Sequence, residues 1–191
     1  VTANISNIET INLKSGAAVG GATGAQFDTS TFTGVETLNA TKGTSAYLKA
    51  AATTDVNVSG ITHANAVVEV TGGKTVTVNH KMDSAGDVIT IEKAVNVNVT
   101  ATDVIDVTAA TGINIGQGAG NAVTGTVVVN ASGKAASTTT ATHTMEAIAV
   151  TGGTTVNVTQ KATSDIGTFT TTGTQAAATI TQGDVTIVGG D

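Results

Sequence analysis

The side chains with most to offer chemically are aspartates, because they fall where apolar runs break: Asp83, Asp87, Asp103, Asp106, Asp165, Asp184 and Asp191. Carboxylates at turns are the usual material of Ca²⁺ sites, which gather about six to eight oxygens from carboxylates, amides and backbone carbonyls. Asp83-Ser84-Ala85-Gly86-Asp87 sets two carboxylates around a glycine turn, a spacing that lets both reach one ion. Asp103 and Asp106 point to opposite faces of a regular strand, so they share an ion only across a bulge or corner. The candidate Ca²⁺ ligands are therefore Asp83, Asp87, Asp103, Asp106, Asp184 and Asp191. The competing reading is that these aspartates form turns by bonding their own backbone.

Other reactive types are sparse. His63, His80 and His143 lie far apart without a metal-ligand spacing, and are expected at turns or facing solvent. Glu9 and Glu36 occupy equivalent places in a short repeat, which points to structure rather than to the unequal carboxylate pair of a glycosidase. Gly116 to Gly120 has the glycine content of a dinucleotide loop but no helix to follow it, and reads as a β-loop. Cysteine is absent, which removes disulfides and thiolate sites. No catalytic role is expected.

The elements that would position these residues are strands. Val and Ile recur at alternate positions, often with Thr or Asn between them, at 68–70, 75–78, 87–91, 95–99, 104–107, 113–115, 127–129, 148–150, 156–158 and 184–188. That period of two puts apolar groups on one face and short polar groups on the other. Glycines punctuate them at 72–73, 116–120, 152–153 and 189–190. No amphipathic helix is evident. Ala46 to Ala52 is the one stretch read as a single helical turn.

The sequence also repeats itself. Val70-Thr-Gly-Gly-Lys-Thr-Val-Thr-Val-Asn-His-Lys81 matches Val150-Thr-Gly-Gly-Thr-Thr-Val-Asn-Val-Thr-Gln-Lys161, 80 residues on. Asn7-Ile-Glu-Thr-Ile-Asn12 matches Gly34-Val-Glu-Thr-Leu-Asn39, 27 residues on. Aromatic residues make up only 2 % of the chain and proline is absent, so the core must be thin and built of small side chains. These features favour an all-β fold, a β-solenoid or parallel β-helix-like stack of short strands, over the alternative β-sandwich, whose core needs larger groups. The whole chain, 1–191, is expected to be part of a larger surface protein, with 1–65 and 66–191 as subregions, since it opens Val1-Thr2-Ala3 without a leader.

Net charge is −6 and every cation is lysine, a balance that argues against nucleic acid as partner. No apolar run approaches the ~20 residues of a membrane-spanning helix.

Ile5-Ser-Asn-Ile-Glu-Thr-Ile-Asn-Leu13 and Phe32-Thr-Gly-Val-Glu-Thr-Leu-Asn-Ala40 resemble the Ile/Val-Glu-Thr-Leu-Asn strands of secreted bacterial β-repeat proteins. Residues 147–160, and then 181–190, are similar to segments of the Caulobacter-type S-layer family. The resemblance implies type I secretion, repeats-in-toxin calcium motifs and a Ca²⁺-dependent lattice of solenoid domains on the bacterial surface. It implies self-association as the main partnership, and anchoring to cell-surface polysaccharide through regions outside this chain. The family's glycine-rich calcium nonapeptides are missing here, apart from Gly189-Gly190-Asp191 as the start of one. The expected function is thus a structural, self-assembling S-layer or matrix component, extracellular and stabilised by Ca²⁺. The alternative is the stalk or binding module of a large secreted adhesin.

Overall fold

A computed structural model describes residues 7–22, 24–84, 86–105, 112–137, 142–166 and 179–189. Among them there is no helix; the chain is a stack of parallel strands in two seven-stranded sheets. The first sheet runs in the order β1 (Thr10–Lys14), β3 (Thr37–Lys42), β5 (Asp55–Val58), β7 (Thr75–Lys81), β9 (Asn96–Thr102), β11 (Thr126–Ser137) and β14 (Thr155–Ile166). The second runs β2 (Phe27–Asp28), β4 (Ala46–Ala50), β6 (Val67–Gly72), β8 (Val88–Glu92), β10 (Ile113–Ile115), β13 (Ile148–Thr151) and β16 (Val185–Val188). A small third pair joins β12 (Thr142–Thr144) to β15 (Thr179–Thr181). Odd and even strands alternate between the two large sheets up to β11, so each turn of chain adds one strand to each. This is the β-solenoid, and the parallel pairing of successive turns excludes an antiparallel sandwich.

Register explains why these sequences stack. Val56, Val76, Val97, Val127 and Val156 are successive partners in the first sheet, and Leu48, Val70, Ile91, Ile115 and Val150 in the second. All of these except Val156 are fully buried. Each inward position stands over its equivalent one strand away, about 4.8 Å along the stack. Two facing sheets leave room for Val, Ile and Leu between them, and the largest buried side chains are Leu, Ile and Met. Val185 and Ile187 of β16 continue the inward columns but are 44 % and 52 % exposed, since no strand lies beyond them among the described residues.

Both sequence repeats are structural equivalents. Val70 reaches Val150 by three steps of strand pairing, as Val76 reaches Val156, so the 80-residue repeat spans three turns. Thr10 pairs with Thr37 and Asn12 with Asn39, so the 27-residue repeat spans one. Turn length varies while register largely holds, because most extra residues are accommodated at the corners; the exception is a shift between Leu13 and Lys14, where Leu13 pairs with Ala40 and Lys14 with Lys42. The sheets are continuous across residues 65 and 66, through the β4–β6 and β5–β7 pairings.

Two expectations are corrected. Ala46 to Ala50 is strand β4, not a helical turn: Ala46, Leu48 and Ala50 are buried, and strands on both sides take up the backbone hydrogen bonds. This is tertiary context overriding alanine's helix preference. Val104 and Ile105 are not a strand; Ile105 makes only an isolated antiparallel bridge to Met145, and 106–107 lie outside the described residues.

The corner at Gly72 needs glycine for two reasons. Its φ is +82°, and an added Cβ would overlap the Ala50 carbonyl oxygen of the neighbouring turn. Gly72→Ala should therefore destabilise the chain by at least about 1–3 kcal/mol, measured by denaturant unfolding. An unchanged midpoint would mean that the corner relaxes freely.

Candidate functional surface

The outer face of the first sheet is a regular polar array. One outward column reads Thr10, Thr37, Asp55, and the next Asn12, Asn39, Asn57, Thr77, Asn98, Val128, Asn157. Within it the amides join in a ladder: Asn39 Nδ2 donates to Asn12 Oδ1 at 2.8 Å, and Asn57 Nδ2 to Asn39 Oδ1 at 2.9 Å. A third column adds Asn79, Thr100, Asn130 and Thr159. Side chains stand about 4.8 Å apart along the stack and about 6.6 Å apart along a strand. Such a face is flat, and Asp55 is its one charge in these columns.

The outer face of the second sheet is different. Lys49 Nζ lies 2.8 Å from Asp28, and Gln26 Nε2 donates to Glu69 Oε1 at 2.7 Å and to Thr71 Oγ1 at 3.1 Å. Burial acts to raise the Asp28 carboxyl, but hydrogen bonds from Lys49 and Ser30 outweigh it and hold the group below its usual range.

Three of the candidate Ca²⁺ ligands are engaged with partners inside the chain. Asp83 and Asp103 do converge, but on the ammonium of Lys81, at 2.7 Å and 3.4 Å. The hydrogen bond that Lys81 donates to Asp83 depresses the Asp83 carboxyl and raises the Lys81 ammonium. Asp103 leaves β9 with φ +57°, a left-handed conformation that Asp tolerates better than most residues. Asp87 turns the other way. It is fully buried, and its two oxygens accept from the Ala66 N–H at 2.7 Å and the Ser84 N–H at 3.1 Å. The Asp83-to-Asp87 turn thus splits its carboxylates, one to a surface lysine and one to buried amides, because a buried carboxylate must satisfy its lone pairs locally. Asp184 is exposed, with its carbonyl bonded to the Ile148 N–H. Asp106 and Asp191 lie outside the described residues. One oxygen each of Asp83 and Asp103 and both oxygens of Asp87 are thus engaged, and no group of three or more acidic or His side chains suited to a metal occurs among the described residues.

Glu9 and Glu36 sit on adjacent turns, with the Glu36 N–H bonded to the Glu9 carbonyl at 2.8 Å, and both are exposed. Gly116, Gly118 and Gly120 all have positive φ in the loop from β10 to β11, where no helix follows. His63 is exposed and His143 half-buried.

His80 departs from expectation. It points inward at the end of β7 and is only 4 % exposed. Neither ring nitrogen has a hydrogen bond of ordinary geometry; the Ile61 backbone comes near enough only to favour the charged form slightly. Burial is the larger effect and lowers the imidazole pKa, against the opposing fields of Asp87 and Asp83. The period-two pattern of Val76-Thr77-Val78-Asn79-His80 carried the signal for this inward position.

Two outcomes follow from this geometry. The unfolded chain binds a proton at His80 near pH 6.5 and the folded chain only at lower pH. Stability from this group is therefore complete above pH 6.5 and falls as the pH drops below it. Chemical denaturation at pH 7.5 and pH 5.0 should show a smaller loss in His80→Leu than in the parent chain; equal losses would refute the assignment. Asn39→Ala, which breaks the amide ladder at its centre, should cost about 0.5–1.5 kcal/mol in the same assay.

Compared with known proteins, the chain matches no family model, no curated protein sequence and no solved structure.

Proposed function

We propose that this chain is a structural segment of a bacterial surface layer or extracellular matrix, and that its business is association with copies of itself. The observation that carries this reading is the outer face of the first sheet. One register-locked column, mostly Asn and Thr, crosses all seven strands with its first three amides tied to one another, and two shorter columns flank it, so that Asp55 is the one charge among them. Fixing side chains before contact lowers the entropy lost when two such surfaces meet. Ligand pockets usually pair a deep cavity with convergent polar groups. The concavities found here hold about 230–350 Å³ and open broadly to solvent. The sequence resemblance to Caulobacter-type S-layer proteins points the same way, and anchoring to surface polysaccharide belongs, on this reading, to regions outside the chain.

Purified protein should form ordered arrays or filaments visible by negative-stain microscopy, with sedimentation that depends on concentration. A chain that stays monomeric at high concentration is instead the stalk of an adhesin. Calcium enters this reading only through carboxylates other than the three already engaged. The melting temperature should be higher in millimolar Ca²⁺ than in chelator, by linkage of ion binding to the folded state. Asp83→Asn and Asp103→Asn should leave that difference unchanged. Identical curves for the parent chain would remove calcium and leave self-association standing.

A further inference from the structure

The first turns of the stack segregate charge along the two long edges of the first sheet. On the side where strands begin, the Glu9 carbonyl accepts from the Glu36 N–H at 2.8 Å, and the Glu36 carbonyl accepts from the Asp55 N–H at 2.8 Å. Three carboxylates therefore stand on three successive turns, and only Asp55 has a cation near it, Lys74 at 3.8 Å. On the side where the strands end, Lys14 and Lys42 are direct register partners, and both are exposed. Lys81, Lys134 and Lys161 lie on the same side, at the ends or far portions of β7, β11 and β14. Five of the eight lysines thus line one edge. Asp83 and Asp103 both pair with Lys81 there.

Like charges directly opposite on neighbouring strands are destabilising. The fold nevertheless stacks Glu9 on Glu36 and Lys14 on Lys42 at the strand spacing of about 4.8 Å. No ion pair or side-chain hydrogen bond within the described residues reaches any of the four. The two edges are some 17 Å apart, the length of a five-residue strand, so neither can neutralise the other in the same molecule. A copy displaced sideways along the strand direction, in the same orientation, brings the lysine pair of one molecule to the glutamate pair of the next.

We propose that copies of this chain associate edge to edge, the Lys14–Lys42 edge of one seated against the Glu9–Glu36 edge of its neighbour. This rests on the self-association reading above and specifies its lateral contact. The contact is heterologous and related by translation, so it propagates into an open row rather than closing on a dimer.

Charge reversal tests it. Variant A carries Lys14→Glu and Lys42→Glu; variant B carries Glu9→Lys and Glu36→Lys. Each keeps a like-charged pair at the altered edge, so melting temperatures should stay close to the parent's. At these two turns variant A then has acidic pairs on both edges and variant B basic pairs on both. In low salt the parent chain should assemble, as followed by light scattering and sedimentation velocity. Each variant alone should need a concentration at least about tenfold higher. An equimolar mixture of the folded variants should restore assembly. Raising ionic strength to about 1 M, where the screening length falls to about 3 Å, should dissolve the parent's rows. Carbodiimide treatment of the parent should join Lys14 or Lys42 to Glu9 or Glu36 of another molecule. Assembly of either variant alone at the parental concentration, or a mixture that stays dispersed, would overturn the edge contact while leaving self-association intact. A parent chain that never assembles in low salt would overturn both.

Discussion

Every turn of this molecule must set its apolar side chains directly above those of the turn before. Parallel strands hydrogen-bonded at a fixed spacing leave no freedom to slide, because a slip of one residue would exchange the buried face for the wet one. Val56, Val76, Val97 and Val127 satisfy that constraint in one sheet, and Val70, Ile91, Ile115 and Val150 in the other. The rest of the composition follows. Side chains that repeat at this interval between two facing sheets must be compact and stiff, which selects Val, Ile and Ala and leaves little place for rings. Buried corner hydroxyls finish the backbone's hydrogen bonding, as where Thr54 donates to the Val35 carbonyl at 2.8 Å.

That constraint also decides what was legible beforehand. Strands β7 and β9 announce themselves because Val alternates with Thr and Asn, and the stacking of turns is visible in the two internal repeats. Strand β4 is hidden, since Ala46-Tyr47-Leu48-Lys49-Ala50 suits a helix in isolation and becomes a strand only between β2 and β6. Strand β2, two residues long, carries no pattern at all.

The polar groups divide in the same way. The bond that Asp87 accepts from Ser84 is local and legible as a turn, whereas the one it accepts from Ala66 comes from the turn before. The meeting of Asp83 and Asp103 at Lys81 depends on a neighbouring turn about 20 residues away, whose length no local pattern sets. The partnership of Asn12 with Asn39 is foreshadowed by the 27-residue repeat, whereas that of Asn39 with Asn57 spans an 18-residue turn that repeats nothing. Lateral alignment of side chains is thus a product of turn lengths, which vary from one turn to the next.

The direction of the backbone hydrogen bonds has a mechanical consequence. Between parallel strands they point along the axis of the stack. A pull along that axis loads the turns one after another, and the weakest ladder opens first. A pull along the strands loads the bonds of each ladder together, in shear, and the stack shares the force. The molecule is therefore stiff and strong in the one direction and able to unravel turn by turn in the other, an anisotropy suited to a thin sheet under tension in its own plane.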